Sequence, residues 1–88
     1  MRFEFDPTKS NANLLKHGIS FSDATSLWMD EKRLIIPAKM VQEARYAIIA
    51  EWNDKLWTGI FTMRSDAIRI ISVRRARQNE RGHYAESR

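Results

Sequence analysis

An α+β two-layer domain, with two N-terminal helices, an antiparallel sheet of about four strands and a C-terminal helix, is the fold class this sequence predicts. Three observations carry that prediction. Helix-capping signals and apolar residues at helical spacing are concentrated before residue 30. From Leu34 to Val73 the apolar residues fall in short runs and alternations separated by turn residues. The chain has 88 residues, a length that buries roughly 60–65% of the unfolded surface and supports one modest core, so residues 1–88 are expected to form a single domain.

In chain order, Phe3 and Phe5 alternate with Arg2, Glu4 and Asp6, the pattern of a short half-buried strand or an extended arm. Asp6 suits an N-cap and Pro7 the first helical turn, so a helix is expected from here through Leu14 and Leu15 to Gly18, a natural C′ residue. Lys16 and His17 complement the negative end of its dipole. Ser20 and Asp23 then form a capping box, with Ile19 and Ala24 placed as a hydrophobic staple. The second helix carries Phe21, Ala24, Leu27 and Trp28 on one face, and the charged cluster Asp30 to Arg33 ends it.

Leu34 to Ile36 make a short strand that Pro37 limits or confines to a sheet edge. After a polar loop around Lys39 to Glu43, Tyr46, Ile48, Ala50 and Trp52 alternate with Arg45, Ala47, Ile49 and Glu51 in a strand. Asn53 and Asp54 turn it into a hairpin with Leu56 to Met63. Ser65 and Asp66 lead into Ala67 to Val73, which is apolar on both faces and is therefore expected at the centre of the sheet, covered on both sides. Beyond Ala76 a weak helix is expected, since the segment is polar and Gly82 costs it about 1 kcal/mol.

The net charge of +4 is unevenly placed. Residues 1–63 carry 8 basic and 8 acidic side chains, whereas residues 64–88 carry 7 arginines, no lysine and 3 acids. Arginine presents a planar fork of donors that matches phosphate bidentately, so this excess points to oxyanion recognition more than to general solubility. The absence of cysteine excludes a disulfide framework and a thiolate metal site, and fits a reducing compartment. No apolar run approaches the ~20 residues of a spanning helix, and the N-terminus has no signal-peptide core, so a soluble, unprocessed, cytoplasmic protein without membrane attachment is expected.

His17 and His83 stand without a metal-ligand pattern, and no P-loop, G-x-G-x-x-G or G-x-S-x-G is present, so no cofactor is expected. What remains is arginine with the proton-transfer candidates His17, Glu43, Glu80, His83 and Tyr84. RNA supplies its own nucleophile, the 2′-hydroxyl, so its scission needs only a base, an acid and cations for the charge that develops on phosphorus. Arg64, Arg69 and Arg74 read as phosphate clamps, with Arg45 reaching the same surface. His17 is the preferred proton carrier because imidazole exchanges protons near neutrality.

Each residue also has a structural reading. His17 before Gly18 reads equally as a helix cap, Arg69 as a cross-sheet partner of Glu51, the arginines at 75, 77 and 81 as a solvated face, and Tyr84 as an anchor for the last helix. Trp28, Trp52 and Trp57 are of a kind that stacks on bases, although the place of Trp28 on the apolar helical face favours the core.

FEFDPTK, NLLKHGISFSDA, RYAIIAEW and FTMRSDAIRIISVRRARQNERGHY together resemble the BrnT-type toxins of bacterial type II toxin–antitoxin modules, over nearly the whole chain, with residues 29–43 the weakest part. The resemblance implies a RelE-like fold, a metal-independent endoribonuclease that cleaves RNA through the 2′-hydroxyl and inhibits growth, and neutralisation by a BrnA-type antitoxin. It also implies operator DNA bound only through the antitoxin complex, within a heterotetramer that would contain a toxin homodimer. Matched positions are Lys16, His17, Arg45, Arg64, Arg69, Arg74, Arg75, Glu80, Arg81 and Tyr84. Of these, His17, Arg64, Arg69 and Arg74 are assigned to catalysis, and Lys16, Arg45, Arg75, Arg81 and Tyr84 to RNA binding. Two departures stand out: where the family turn usually reads T-E-R-G this chain has Thr62, Met63, Arg64, Ser65, and Arg77 replaces a capping threonine. An acid near the site is thus expected to be missing and the last helix to be weakly anchored. A second reading of the same residues is a non-catalytic module whose arginines grip RNA or an acidic segment of the antitoxin.

Overall fold

Local signals in the first twenty residues are realised in the structure. In the computed structural model, which describes residues 1–39 and 42–87, the Asp6 carboxylate accepts the Thr8 N–H at 2.8 Å and opens helix α1 (Pro7–His17). Gly18, at φ 84°, closes it by donating its N–H to the Leu14 carbonyl at 2.9 Å, a left-handed conformation that glycine adopts at little cost. Ser20 then caps α2 (Phe21–Ala24) by accepting the Asp23 N–H at 3.0 Å.

The expected second helix is only one α-helical turn long and continues as a 3₁₀ segment, Thr25–Met29. The Thr25 hydroxyl and its own N–H both donate to the Ser22 carbonyl, which tightens the coil to an i→i+3 pattern. Leu27 and Trp28 remain buried, so the apolar face foreseen for this segment is kept although the helix is not.

The sheet has five strands, not about four, and is mixed: β1 (Arg2–Glu4), β2 (Leu34–Pro37), β3 (Tyr46–Trp52), β4 (Lys55–Arg64) and β5 (Ala67–Arg75) in the order β1-β5-β4-β3-β2. The N-terminal arm is a true strand and lies parallel to β5, with Phe3 opposite Ile68 and Glu4 opposite Arg69. The β3–β4 hairpin turns through Asn53 and Asp54 at φ 55° and 62°, the double left-handed geometry of a type I′ turn. Met40 and Val41, in the loop expected between β2 and β3, lie outside the described residues, as does Arg88.

β4, rather than β5, is central. The run Ile70–Ile71 that made β5 look apolar on both faces is a β-bulge: Phe61 pairs with Ile70 and Ile60 with Ser72, leaving Ile71 unmatched. One face of β5 therefore carries Ile68, Ile70 and Val73 into the core, while Arg69, Ser72 and Arg74 belong to the other.

The core forms between α1, α2 and the 3₁₀ segment on one side and the sheet on the other. Ile19, Phe21, Leu27 and Trp28 meet Ile48, Trp57, Phe61, Ile68 and Val73. Phe3, Trp28 and Phe61 follow one another edge to face at centroid distances of 5.1 Å. At Gly59 an added Cβ would lie 3.2 Å from Ile48 Cγ2, tight enough that the Ile48 side chain would have to give way, whereas Leu27 Cδ1 at 3.7 Å would be at ordinary contact distance.

β1 covers only the first three residues of β5, and Asn13 of α1 completes the exposed edge beyond it. Its amide donates to the carbonyls of Ile19 and Val73 at 2.8 and 2.9 Å and accepts the Val73 N–H at 3.3 Å, standing in for a neighbouring strand. Asn13→Ala leaves buried backbone groups without partners, at about 1–3 kcal/mol each, and is expected to lower stability by about 2–3 kcal/mol in urea denaturation.

Helix α3 (Gln78–Glu86) packs on the opposite face of the sheet and buries only Tyr84, so polar contacts supply much of its attachment. Among the described residues no helix is long and apolar enough to cross a membrane.

Candidate functional site

Strand alternation sorts the charged residues between two faces. On the face opposite the core, β4 presents Thr58, Ile60, Thr62 and Arg64, β5 presents Arg69, Ser72 and Arg74, and β1 presents Glu4. Thr62 pairs with Arg69 and Thr58 with Arg74, so the two arginines are separated by about 13 Å along the strands.

Around Thr62 a row of residues crosses the sheet. Glu4 on β1 lies opposite Arg69, Arg69 lies opposite Thr62, and the β3–β4 register, continued by one residue beyond Tyr46 and Phe61, sets Arg45 opposite Thr62. Arg64 lies two residues further along β4 on the same face. Glu4 Oε1 is 3.6 Å from Arg69 Nη1 and 3.9 Å from Arg64 Nε, both longer than a hydrogen bond. The side chains of Arg69 and Glu4 are about one-third exposed and that of Arg64 more than half. The Nε of half-buried Arg45 has no hydrogen-bond partner among the described residues. Arg64 and Arg69, neither hydrogen-bonded to the carboxylate, therefore share this patch with Glu4, and Arg45 joins the row with its Nε buried.

Arg74 is in a different situation. It forms a bidentate pair with Glu80 at 2.8 and 2.9 Å, and Glu80 also accepts the Thr58 hydroxyl at 2.9 Å and the Arg77 N–H at 2.7 Å. The Arg74 guanidinium, above all, holds the Glu80 carboxyl down at about 2, and Glu80 in turn raises Arg74. Because an arginine side chain has no acceptor, Arg77 does not cap α3 as threonine would; only the Glu80 half of the capping box is present. The helix is nevertheless latched twice, since the Tyr84 hydroxyl donates to Asp30 Oδ2 at 2.7 Å. Burial opposes ionisation of Asp30, but bonds from the Glu51 N–H, the Tyr84 hydroxyl and the Lys32 N–H outweigh it and keep the carboxyl below its usual range.

The Glu80 latch predicts a pH dependence. Its folded pKa of about 2 lies under the ordinary 4.5, so its contribution is complete above about pH 4.5 and is lost as pH falls toward 2. Discounted for solvent screening, it contributes about 1–2 kcal/mol. Glu80→Gln is expected to remove that much stability at pH 7 and to flatten the acid side of the stability curve below pH 4.5, measured by urea midpoints at each pH.

The sequence-selected residues therefore divide. Arg45, Arg64 and Arg69 converge. Lys16 and His17 stand at the end of α1, where they line a cleft of about 230 Å³ with Asn13, Ile71 and Ser72 at the open edge of β5. Arg75 lies over the Trp57 ring, 5.5 Å from its centroid, and so belongs to the core-side face. Arg81 is exposed on α3, and Tyr84 is buried as the anchor of that helix. The expected pairing of Arg69 with Glu51 does not occur: β4 lies between their strands, and the carboxylate nearest Arg69 is Glu4. Trp57 is buried and donates its Nε1–H to the Trp52 carbonyl, and Trp28 sits in the core.

Position 63 is corrected by the same alternation. Met63 pairs with Ile68 on the core-side face and lines an apolar groove of about 350 Å³ with Met1, Ile35 and Phe61. An acid there would not stand beside Arg69, and the carboxylate that does, Glu4, was missed because its neighbours come from a parallel pairing 65 residues away in sequence. The signal available was the alternation itself, which sets Glu4 opposite in sense to Phe3 and Phe5.

Among the described residues no group of three or more His, Cys, Asp and Glu side chains is placed to hold a metal ion. A family model described as a ribonuclease toxin, BrnT, of type II toxin-antitoxin system matches residues 5–80 of the chain. No curated protein matches it.

Proposed function

The chain belongs to the family of BrnT ribonuclease toxins of type II toxin–antitoxin systems, and from that premise we propose that it is a metal-independent endoribonuclease whose working surface is the patch of Arg45, Arg64 and Arg69 around Thr62. The observation that carries this reading is the placement of three arginines on one face, of which Arg64 and Arg69 stand beside a carboxylate that does not saturate them. A bridging RNA phosphate carries one negative charge and gains a second as the 2′-oxygen adds to phosphorus. Preorganised guanidiniums therefore bind the transition state more strongly than the ground state. Lys16 and His17 extend the cationic track along the β5 edge, and Arg81 extends it over α3. Arg74 supports the surface by holding α3 and contributes to catalysis through that position.

The partner is a BrnA-type antitoxin, through whose complex the operator is bound, and the setting is cytoplasmic. A RelE-like relationship accords with a sheet that carries α1 and α2 on one face and an arginine surface beside α3 on the other. One observation favours a second reading, a binding surface without catalysis: Glu4 and Glu80 already approach Arg69 and Arg74, so these arginines accept carboxylates such as those of an acidic antitoxin segment.

Incubating the purified protein with RNA in EDTA distinguishes the two. Fragments ending in 2′,3′-cyclic phosphate or 3′-phosphate are expected. Intact RNA with salt-sensitive binding supports the second reading, and a strict need for Mg²⁺ contradicts the first.

A further inference from the structure

We infer that Glu4 is the general base of this site, the group that takes the proton from the attacking 2′-hydroxyl. The inference rests on the ribonuclease reading above and extends it to a residue of β1.

Two carboxylates stand beside arginines on this face, and their surroundings differ. Every oxygen of Glu80 is occupied: Oε1 accepts from Arg74, Thr58 and Arg77, and Oε2 from Arg74. Four donors hold it, three on Oε1 and one on Oε2, and a carboxylate so stabilised is a weak base. Glu4 has the opposite character. It is partly open to solvent, and its guanidinium neighbours stand at 3.6 and 3.9 Å, beyond hydrogen-bond length, which leaves its lone pairs free. A phosphate held by Arg69 would lie next to this carboxylate because both anions address one guanidinium. The 2′-oxygen that attacks stands about 3 Å from phosphorus in a reactive conformer, within hydrogen-bond reach of such a base.

His17 does not occupy this position. It lines the cleft beside Ser72, whose partner Ile60 is two residues, about 7 Å, along β4 from the Thr62 of the Glu4 row, and it comes from α1 on the core side of the sheet. The charged groups facing Glu4 are Arg69 from β5, Arg64 from β4 and Arg2 on its own strand, the last paired with Asp66 at 3.0 Å, while Arg45 stands three strands away along the same row. Asp66 is thus turned to a partner of its own.

In the step assigned to it, a Glu4 oxygen accepts the 2′-hydroxyl proton as the 2′-oxygen bonds to phosphorus. The bond from phosphorus to the 5′-oxygen breaks, and that oxygen leaves with a proton drawn from solvent. The products are a 2′,3′-cyclic phosphate and a 5′-hydroxyl, Glu4 releases its proton to solvent, and nothing is oxidised or reduced.

The test is metal-free cleavage of an RNA oligonucleotide across pH 4–8 by wild type, Glu4→Gln, Glu4→Asp and Arg69→Ala. Wild type is expected to gain rate as pH rises, as a base that must be deprotonated requires, and then to level off. Glu4→Gln should lose about 10²–10⁴-fold in kcat, with KM no higher because a negative charge has left the arginine patch, and its acid limb should vanish. Glu4→Asp should recover part of the rate together with that limb, and Arg69→Ala should lower the plateau while keeping it. Salt-sensitive RNA binding by Glu4→Gln shows that the surface is intact. A Glu4→Gln enzyme within about threefold of wild type, or one that keeps the acid limb, overturns the assignment while leaving the ribonuclease reading standing. Absence of cleavage by wild type removes the ribonuclease reading itself, and the base with it.

Discussion

Arg69→Ala is expected to lower metal-free RNA cleavage by about 10²–10³-fold, the loss that follows when one preorganised donor to a developing oxyanion is removed. Arg69 stands in the middle of the working row, opposite Thr62 on one side and Glu4 on the other, with its side chain one-third exposed. Its removal deletes a weak, partly solvated ion pair, so the urea midpoint should shift by less than about 1 kcal/mol. The discriminating comparison is with Arg75→Ala, since Arg75 lies on the other face over Trp57 and should leave cleavage within a few-fold of wild type. Equal losses for the two variants would mean that net charge, and not the geometry of this face, drives activity.

The largest expected loss of stability belongs to Phe21→Ala. Phe21 is 1% exposed, meets Phe5 edge to face at 5.8 Å, and donates its N–H to the Ser10 hydroxyl at 2.9 Å. It joins α1, α2 and β1's continuation in one contact. Removing a buried phenyl ring costs about 3–5 kcal/mol, against a total of about 5–15 kcal/mol for a domain. For a chain of this size the melting temperature should fall by about 12 °C or more, read by circular dichroism. Because α1 carries Lys16, His17 and the Asn13 bridge to β5, the RNA surface at that edge should loosen with the core.

Features decided by neighbours in sequence were legible, and those decided across the fold were not. Asp6, Pro7, Gly18 and Ser20 mark helix ends through bonds to residues two to four positions away, and each was identifiable from residue type. The Asn53–Asp54 hairpin turn is local for the same reason. The strand at Phe3 was visible as an alternation, but its parallel pairing with β5 was not, because nothing near residue 3 specifies residue 68. The bulge at Ile71 misplaced β5: two adjacent isoleucines look the same in a strand buried on both faces and in a bulged strand buried on one.

The site divides in the same way. Arg45, Arg64 and Arg69 were chosen from residue type and strand phase, and the observed register gathers them. Glu4 was not chosen, because its relation to Arg69 exists only through the β1–β5 pair. Arg74 reads by residue type as a phosphate clamp like Arg69; plain alternation would put the two on opposite faces, the bulge at Ile71 returns Arg74 to the Arg69 face, and there Glu80, six residues on, claims its guanidinium. Position 63 is tied to the arginines only by the T-E-R-G turn of the family the chain resembles, whereas alternation along β4 turns it to the face opposite Arg64.

That this arginine face cleaves RNA through the substrate's own 2′-hydroxyl is tested most directly by a single-atom change in the substrate. An RNA oligonucleotide is first mapped for its cut site in EDTA, and the ribose 5′ to that phosphate is then replaced by 2′-deoxyribose. Cleavage at that phosphate should disappear while cuts elsewhere continue at their former rates. Continued cleavage at the 2′-deoxy position would show that water or another nucleophile attacks phosphorus, and would contradict the mechanism.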